Sequence, residues 1–232
     1  ITLLGQNVNS YGKDLTPRVT FSQLLRQIND LPGDFRIRFM TSHPKDCTKE
    51  LLDTMAECPK VAKHLHLPFQ CGNDRVLKAM NRGYTAGQYL ELVHYAKAKM
   101  GSALSITSDV IVGFPGETYE EFQDTLSLVK AVGATSLFTF IYSPREGTPA
   151  AKMEQVPKAV KEERARRAAA VAEEMHRSYL EGCVGRTYPV LFEQPKNGKF
   201  FGHAPNYMEV LVDGAELHNA LKNVRIIDVD GE

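Results

Sequence analysis

The sequence predicts an α/β fold in which a parallel β-sheet with helical crossovers is followed by a small all-β domain. Three observations predict it. Apolar runs typical of buried strands recur through residues 1–143, helical patterns separate them, and past Gly182 the chain changes to short strands with Pro, Gly and Asn at the turns. Periodicity alone leaves two arrangements of the parallel strands open, a doubly wound sheet and part of a (β/α) barrel.

Five apolar runs are expected to form the parallel strands. They are residues 1–5, "RIRFMTS" (36–42), "HLHLPF" (64–69), "LSITSDVIVGF" (104–114) and "LFTFIYS" (137–143). The runs are nearly continuous and carry β-branched and aromatic residues, as in strands that are covered on both faces. The sequence therefore predicts a sheet of at least five strands.

Four segments between these strands predict helices. They are residues 20–30, 48–58, 85–100 and 118–133, and each opens with Thr, a favourable N-cap. The segment "TYEE" resembles a capping box, and Gly133 is placed as a C-cap. Because strands alternate with helices, the pattern predicts right-handed βαβ crossovers.

Between Ala150 and about Leu180 the composition shifts to Ala, Lys, Arg and Glu, which predicts a long amphipathic helix ended by Gly182. We expect its apolar stripe to pack on the sheet and its charged face to be solvated. A direct RNA-binding role stays open because of three arginines: Arg164, Arg166 and Arg167.

After this helix, "TYPVLFEQ", "MEVLVDG" and "NVRIIDVDG" predict short strands. About fifty residues can form a compact five-stranded barrel, a type that is often used to bind RNA. The predicted organisation is a partial (β/α) barrel over 1–150, a helical connector over 151–181 and a β domain over 182–232.

The composition excludes several classes of protein. With 43% apolar and 24% charged residues the chain is expected to be globular, and no apolar run approaches the roughly 18 residues of a membrane span. Its 28 basic and 28 acidic residues give no global field that attracts nucleic acid, so any RNA contact must be local. The four cysteines have neither metal-binding spacing nor the dense pattern of a secreted disulfide framework, which favours a reducing cytoplasm. They are Cys47, Cys58, Cys71 and Cys183.

Polar, glycine-rich or proline-rich segments follow all five strands. They read "GQNVNSYG", "TSHP", "LPFQCGND", "DVIVGFPGET" and "IYSPREGTP". In both sheet arrangements the functional groups lie at the carboxyl ends of the strands, so we expect these segments to meet at one site. His64 and His66 alternate with leucines and should share one strand face, as should Asp109 and Ile111.

Five motifs carry a resemblance to a known family. They are "LLGQNVNSYG", "RFMTSHPKD", "LHLPFQCGNDRVLKAMNRGYT", "SDVIVGFPGET" and "YSPREGTPAAKMEQVP", and in this order they resemble the radical S-adenosylmethionine (radical SAM) tRNA methylthiotransferases over residues 1 to about 165. The catalytic half is most similar to the group that acts on N6-isopentenyladenosine beside the anticodon. The segment "GHAPNYMEVLV" looks more like the sister group that acts on N6-threonylcarbamoyladenosine. We give the catalytic half more weight because the strand ends lie nearer the modified base.

The resemblance implies a radical SAM partial barrel, S-adenosylmethionine, [4Fe-4S] clusters, and a C-terminal RNA-binding barrel of the TRAM type. It also implies a tRNA anticodon stem-loop as substrate, an electron donor such as flavodoxin or ferredoxin, and a cytoplasmic location. Two alternatives stay open: the same reaction on threonylcarbamoyladenosine, and an RNA-binding protein without catalysis.

The family holds its radical cluster with cysteines spaced CxxxCxxC, and none of the cysteines here has that spacing. We therefore expect the first barrel strand, its cysteine loop and an N-terminal domain to precede Ile1, and this chain alone to be inactive. No metal ligand or catalytic residue is assigned within it.

The resemblance, the strand-end positions and the residue types of the β domain together predict two sets of binding residues, with packing in the core as the alternative for the aromatic residues of the β domain. The cofactor set is Gln6, Asn7, Ser42, Gln70, Asp109, Ile111, Gly113, Phe114 and Tyr142. The substrate set is His43, Arg145, Phe201, His203, Asn206 and Tyr207. For the asparagines after the first strand, including Asn9, a turn that satisfies its own backbone is the alternative. For Arg145 the alternative is an exposed salt bridge.

Overall fold

Strands and helices alternate through the first 141 residues, as the sequence predicts. The structure is a computed structural model that describes residues 1–40, 42–196, 198–213 and 216–230. The elements in this part are β1 (Thr2–Leu3), α1 (Phe21–Asn29), β2 (Arg38–Phe39), α2 (Lys49–Glu57), β3 (His64–His66), α3 (Asp74–Ala79), α4 (Ala86–Met100), β4 (Ser105–Val112), α5 (Tyr119–Val132) and β5 (Ser136–Ile141).

All pairs among these five strands are parallel, but they do not form one continuous ladder. β1 pairs with β2, and β3, β4 and β5 pair in that order. A single parallel bridge between Ile37 and Val61 joins the two groups. The described strands therefore give an open, curved parallel sheet with every carboxyl end at one edge, which is the arrangement that positions the site.

The predicted helix boundaries are confirmed by the side-chain caps. Thr118 accepts a hydrogen bond from the backbone of Glu121 and forms the expected capping box, and Gly133 ends α5 with a left-handed φ of 59°. The other predicted Thr caps also accept from the first turn of their helices: Thr20, Thr48 and Thr85. Helix α3 was not predicted, because its six residues lie inside the polar segment that follows β3.

The helices cover one face of the sheet and form the core with it. Leu65 of β3 and Val110 of β4 point into this core, where they are essentially inaccessible to water beside Phe69 and Tyr89. The opposite face of the same strands carries polar side chains. His64 and His66 both contact the Thr107 hydroxyl at 2.9 Å, which confirms that they share one face.

Helix α6 (Lys158–Glu181) begins after a 3₁₀ turn at Pro149–Lys152, later than the composition suggested. The expectation of a solvated charged face is wrong in part. Lys161 and Arg164 are only 7% and 4% exposed and lie on the buried side with Ala168. Both cations donate hydrogen bonds to backbone oxygens at the carboxyl ends of the strands. Their charged groups are therefore solvated by the protein and not by water.

The C-terminal sheet consists of β6 (Thr187–Lys196), β7 (Lys199–His203), β8 (Glu209–Val212) and β9 (Leu221–Arg225), antiparallel in the order β8-β7-β6-β9. Five strands were expected, and the described residues form four. The long β6 pairs with β9 through its first half and with β7 through its second, with a register shift between Phe192 and Gln194. The single irregular strand β6 therefore occupies the positions of two of the expected five strands.

The C-terminal sheet packs against the amino ends of the parallel strands. Arg36, directly before β2, donates to the carbonyl oxygens of His203 at 2.6 Å and Pro189 at 2.5 Å. The hydroxyl of Ser105, the first residue of β4, donates to the carbonyl of Asn206 at 2.6 Å. These contacts fix the turn at 204–207 beneath the strands.

Ring stacking strengthens the same contact. The Tyr207 ring stacks on His64, the first residue of β3, at 4.9 Å between centroids, and on His203 at 4.8 Å. The Arg38 guanidinium lies 4.4 Å from the centre of the Tyr207 ring, a cation–π contact. Among the described helices, none is both long enough and apolar enough to cross a bilayer.

Candidate functional site at the strand ends

The loop after β1 is held by Asp46, which lies after β2. Its carboxylate accepts hydrogen bonds from the Asn7 amide at 2.6 Å, from the Ser10 hydroxyl at 3.1 Å and from Lys13 at 2.8 Å. Burial alone would raise the pKa of Asp46, but these three donors bring it below its usual value. One ionised carboxylate thus fixes both strand ends.

The same loop leaves two buried polar atoms unpaired. Asn9 accepts from the hydroxyl of Ser42, itself 4% exposed, at 3.2 Å, while its own amide nitrogen has no partner. The side-chain oxygen of Asn7 is also buried without a partner in the described part of the chain. Gln6 is exposed. A free acceptor and a free donor at a strand end are what a polar ligand would satisfy.

Two further predicted residues lie at the same edge. The Nδ1 atom of His43 accepts from the backbone of Lys45 at 3.2 Å, and burial, with Arg82 nearby, lowers the pKa of His43. Gln70 has a left-handed φ of 69°, which is unfavourable for a residue with a side chain. Gln70 forms a parallel bridge to β4 beyond the end of β3, and its backbone hydrogen bonds to Asp109 and Ile111 hold it in this conformation.

The glycine loop after β4 is bound to helix α6 by a buried ion pair. The Glu117 carboxylate accepts from the Gly113 backbone at 2.8 Å and from Arg164 at 2.6 Å. Arg164 also donates to the Glu117 carbonyl at 3.1 Å. Neither side chain is more than 5% exposed, and burial raises the pKa of Glu117 despite the nearby cation.

Gly113 is required for two reasons. Its φ of 71° is left-handed, and a Cβ atom there would lie 2.5 Å from Cγ of Lys161. The close approach to the backbone at Gly113 is therefore made by α6 of this chain. Gly116 also has a left-handed φ, of 74°, but a Cβ atom there would meet no atom of the described residues within 4 Å.

Aromatic side chains lie where β4 and β5 end. Phe114 is 6% exposed and packs edge-on against Tyr142 at 5.2 Å between centroids. The Lys161 ammonium donates to the Tyr142 carbonyl at 3.2 Å and lies 5.1 Å from the centre of its ring. Arg145 is exposed in the segment that follows. This group forms the second half of the strand-end edge.

The inner face of the sheet combines polar and aromatic groups. His66 contacts Thr107, and its Nε2 atom lies 3.6 Å from the Asp109 carboxylate. Phe138, which pairs with Asp109 across β4 and β5, packs edge-on against His66 at 6.2 Å between centroids. Phe140 pairs with Ile111 one step further toward the strand ends. Both phenylalanines are 53% exposed.

The four predicted substrate residues of the C-terminal sheet lie apart from the carboxyl ends of the parallel strands. The amide of Asn206, 3% exposed, donates to the hydroxyl of Tyr179 at 2.6 Å. His203 is bound to Glu193 at 2.7 Å, and Phe201 packs edge-on against His203. Tyr207, described above, remains 43% exposed. Their contacts serve packing at the amino ends, and a role in binding RNA stays a prediction.

Sequence reasoning missed several residues that build the site. Asp46 stood inside the quoted segment "TSHPKD", and a carboxylate beside a strand-end turn was the available signal. Lys161 and Arg164 are three residues apart and so share a helix face, but their charge suggested solvent. The exposure of Phe138 and Phe140 had no sequence signal, since both looked like core strand residues.

Comparison with known proteins decides the family. The model of the radical SAM superfamily matches residues 3–129, more than half of the chain. The chain belongs to the radical SAM superfamily. Coproporphyrinogen III oxidase (HemN) from Escherichia coli, a radical SAM enzyme, has the same fold with a TM-score of 0.53 at 15% identity, over 79% of this chain and 50% of that one.

Curated relatives are much more similar in sequence. The tRNA-2-methylthio-N(6)-dimethylallyladenosine synthase of Alkaliphilus oremlandii is 47% identical over 98% of this chain and 49% of its own length. The enzymes of the same name from Acetivibrio thermocellus and Clostridium botulinum (strain Langeland) are 47% and 50% identical over 97% and 83% of the chain. This radical SAM chain spans about half the length of these curated relatives.

Radical SAM enzymes use S-adenosylmethionine and a [4Fe-4S] cluster, and the two groups fit these residues differently. The unpaired atoms of Asn7 and Asn9 suit the charged amino-acid end of S-adenosylmethionine. The described residues do not fit the cluster. No three of their His, Cys, Asp and Glu side chains could hold a metal together. Burial raises the pKa of the Cys47 and Cys71 thiols to about 12 and 11, which disfavours thiolate ligands.

Proposed function

We propose that this chain is the substrate- and cofactor-orienting half of a tRNA methylthiotransferase that converts N6-dimethylallyladenosine to its 2-methylthio derivative. One observation carries the proposal, the 47% identity over 98% of the chain to a synthase of that name. The open strand-end edge with its unpaired polar atoms supports it. The cluster ligands would come from residues outside the described ones.

When bound, S-adenosylmethionine and the clusters supply the radical chemistry and the transferred methyl group. In this proposal the chain's own residues bind and orient. Asn7 and Asn9 would hold the amino-acid end of the cofactor, and Ile111 with the Phe114–Tyr142 pair would flank its adenine. Ser42 and Asp46 keep the asparagines in place. The partners proposed are a tRNA anticodon stem-loop and a one-electron donor such as flavodoxin or ferredoxin, in the cytoplasm.

A chimera tests the proposal. The chain would replace the matching half of the Alkaliphilus oremlandii synthase. It would be expressed in a bacterium that makes N6-dimethylallyladenosine but lacks its own methylthiotransferase, and mass spectrometry would measure the nucleosides of its tRNA. We expect the 2-methylthio derivative with the chimera and none with the chain alone. A folded chimera that carries reconstituted clusters and yields no product would reject the proposal.

A further inference from the structure

The exposed inner face of β4 and β5 has a composition that points to one ligand. Phe138 and Phe140 are each 53% exposed, although aromatic side chains are usually buried. They stand on one face of the edge strand β5, two residues apart, and pair with Asp109 and Ile111. The face is therefore a continuous apolar wall with a carboxylate at its border.

The Asp109 carboxylate is free to accept. It is 23% exposed at the side chain, and within the described part of the chain the one ionisable side chain paired with it is His66, whose Nε2 atom lies 3.6 Å away. That separation is longer than a hydrogen bond. No hydrogen bond to this carboxylate is formed among the described residues, while its backbone carbonyl accepts from Gln70. It is thus an acceptor beside an apolar wall.

His66 is held in place from behind. Its Nδ1 atom bonds to the Thr107 hydroxyl, which also bonds to His64, and His64 stacks on Tyr207. The imidazole therefore keeps its edge toward Phe138 and Asp109 without help from a ligand. Such a preorganised group lowers the entropy cost of binding at this face.

We propose that Phe138, Phe140 and Asp109 form the subsite for the N6 substituent of the target adenosine. The secondary amine N6–H would donate to the Asp109 carboxylate, and the five-carbon dimethylallyl group would pack on the two phenylalanines. The inference rests on the proposed function and extends it to residues that select the substrate. It explains why two aromatic rings stand exposed on one face of β5.

The same geometry disfavours a substituent that carries a carboxylate. Such a group would meet Asp109, a like charge, on an apolar wall. Two cations that reach the sheet are engaged elsewhere. Arg38 lies over Tyr207, and Lys161 is bonded to the Tyr142 carbonyl. The subsite therefore selects an apolar substituent over a threonylcarbamoyl one.

Binding of defined RNAs to the full chain tests the subsite. The probes are three synthetic anticodon stem-loops of one sequence, with adenosine, N6-dimethylallyladenosine or N6-threonylcarbamoyladenosine at the target position. Fluorescence anisotropy would give the three dissociation constants. We expect the dimethylallyl loop to bind about tenfold more tightly than the unmodified one, the effect of burying roughly two methylene groups. We expect no gain for the threonylcarbamoyl loop.

Variants assign the preference to residues. The double variant Phe138→Ala, Phe140→Ala should reduce the dimethylallyl preference to about twofold or less and leave affinity for the unmodified loop unchanged. Asp109→Asn, which removes the charge and keeps an acceptor oxygen, should strengthen binding of the threonylcarbamoyl loop severalfold. The control is Leu31→Ala, since Leu31 is 51% exposed at the end of α1. Thermal unfolding checks that all variants fold.

The outcomes separate the two proposals. Equal affinity for all three loops in the parent chain, or an unchanged preference in the double variant, overturns the subsite and leaves the proposed function standing. No binding of any loop by the folded parent chain overturns both, because the chain is then not the part that orients the RNA. A preference that disappears with Leu31→Ala would also reject the assignment.

Discussion

The two ends of the parallel sheet differ in what their polar groups bond to. At the amino ends, Arg36 and Ser105 donate to backbone oxygens of the C-terminal sheet, and Tyr207 stacks on His64. At the carboxyl ends, buried atoms of Asn7 and Asn9 have no partner among the residues that the structure describes. The amino ends of the parallel strands therefore contribute to stability, and their carboxyl ends are left open for a ligand, as in other barrel folds.

The largest effect should come from the buried ion pair between Arg164 and Glu117, at the carboxyl end of β4. Arg164→Ala leaves Glu117 as a buried, unpaired carboxylate and should lower the free energy of unfolding by about 3 kcal/mol or more. Urea unfolding monitored by circular dichroism measures it. Arg166→Ala is the matched control, since Arg166 is exposed on the same helix. Similar losses in both variants would show that the ion pair contributes nothing special.

A smaller loss is expected at the amino ends. Arg36→Met keeps the length of the side chain but removes both hydrogen bonds to the C-terminal sheet, which should cost about 2 kcal/mol. Differential scanning calorimetry would record the lower Tm. Arg18→Met, at an exposed position, should leave Tm unchanged. If Arg36→Met melts like the parent, the contact between the sheets is weaker than the distances indicate.

His64, the first residue of β3, should make the stability of the fold depend on pH. Burial, with His66 and Arg38 nearby, lowers the pKa of His64 from 6.5 to about 3. The unfolded chain therefore binds a proton at His64 at a higher pH than the folded chain does. This contribution is complete above pH 6.5 and is lost as the pH falls, by about 1.4 kcal/mol per pH unit.

The variant His64→Phe removes the titration and keeps a ring to stack on Tyr207. Urea unfolding between pH 7 and pH 4 should show a shallower loss of stability in this variant than in the parent. Leu31→Ala, which replaces an exposed side chain that does not titrate, is the control and should keep the parent's slope. Identical slopes for His64→Phe and the parent would contradict the assignment.

The smallest effects should occur among the open carboxyl ends. Gln6→Ala removes an exposed side chain and should change stability by less than about 0.5 kcal/mol. Ser42→Ala leaves the Asn9 oxygen without its donor and should cost about 1 kcal/mol. Both are measured by chemical unfolding. A loss at Gln6 as large as that at Arg36 would remove the contrast between the two ends.

Sequence patterns predicted the helices and strands more accurately than they predicted the contacts between side chains. Thr118 and Gly133 bound their helix as expected because capping depends only on neighbouring residues. The buried state of Arg164 was missed because it depends on Glu117, 47 positions away. The exposure of Phe138 was missed for a related reason. A strand pattern does not reveal whether the sheet face it belongs to is covered by another part of the protein.

For the site, the five strand ends were correctly placed at one edge, since parallel pairing guarantees it. The roles of individual side chains depended on three-dimensional partners. Asn206 and Tyr207 looked available for RNA, but their contacts with Tyr179 and His64 exist only after the C-terminal sheet has packed beneath the strands. Family resemblance supplied the chemistry, which no pattern in the residues could have indicated.

Helix α6 also bears on how the chain unfolds. In its first third Arg164 bonds to the loop after β4, and near its end His176 bonds to the Thr135 carbonyl and Tyr179 packs in the C-terminal core. At about 1.5 Å per residue, its 24 residues span roughly 36 Å. The two sheets therefore share one cooperative unit. Hydrogen exchange along α6 should report a single opening free energy rather than a boundary between two independent foldons.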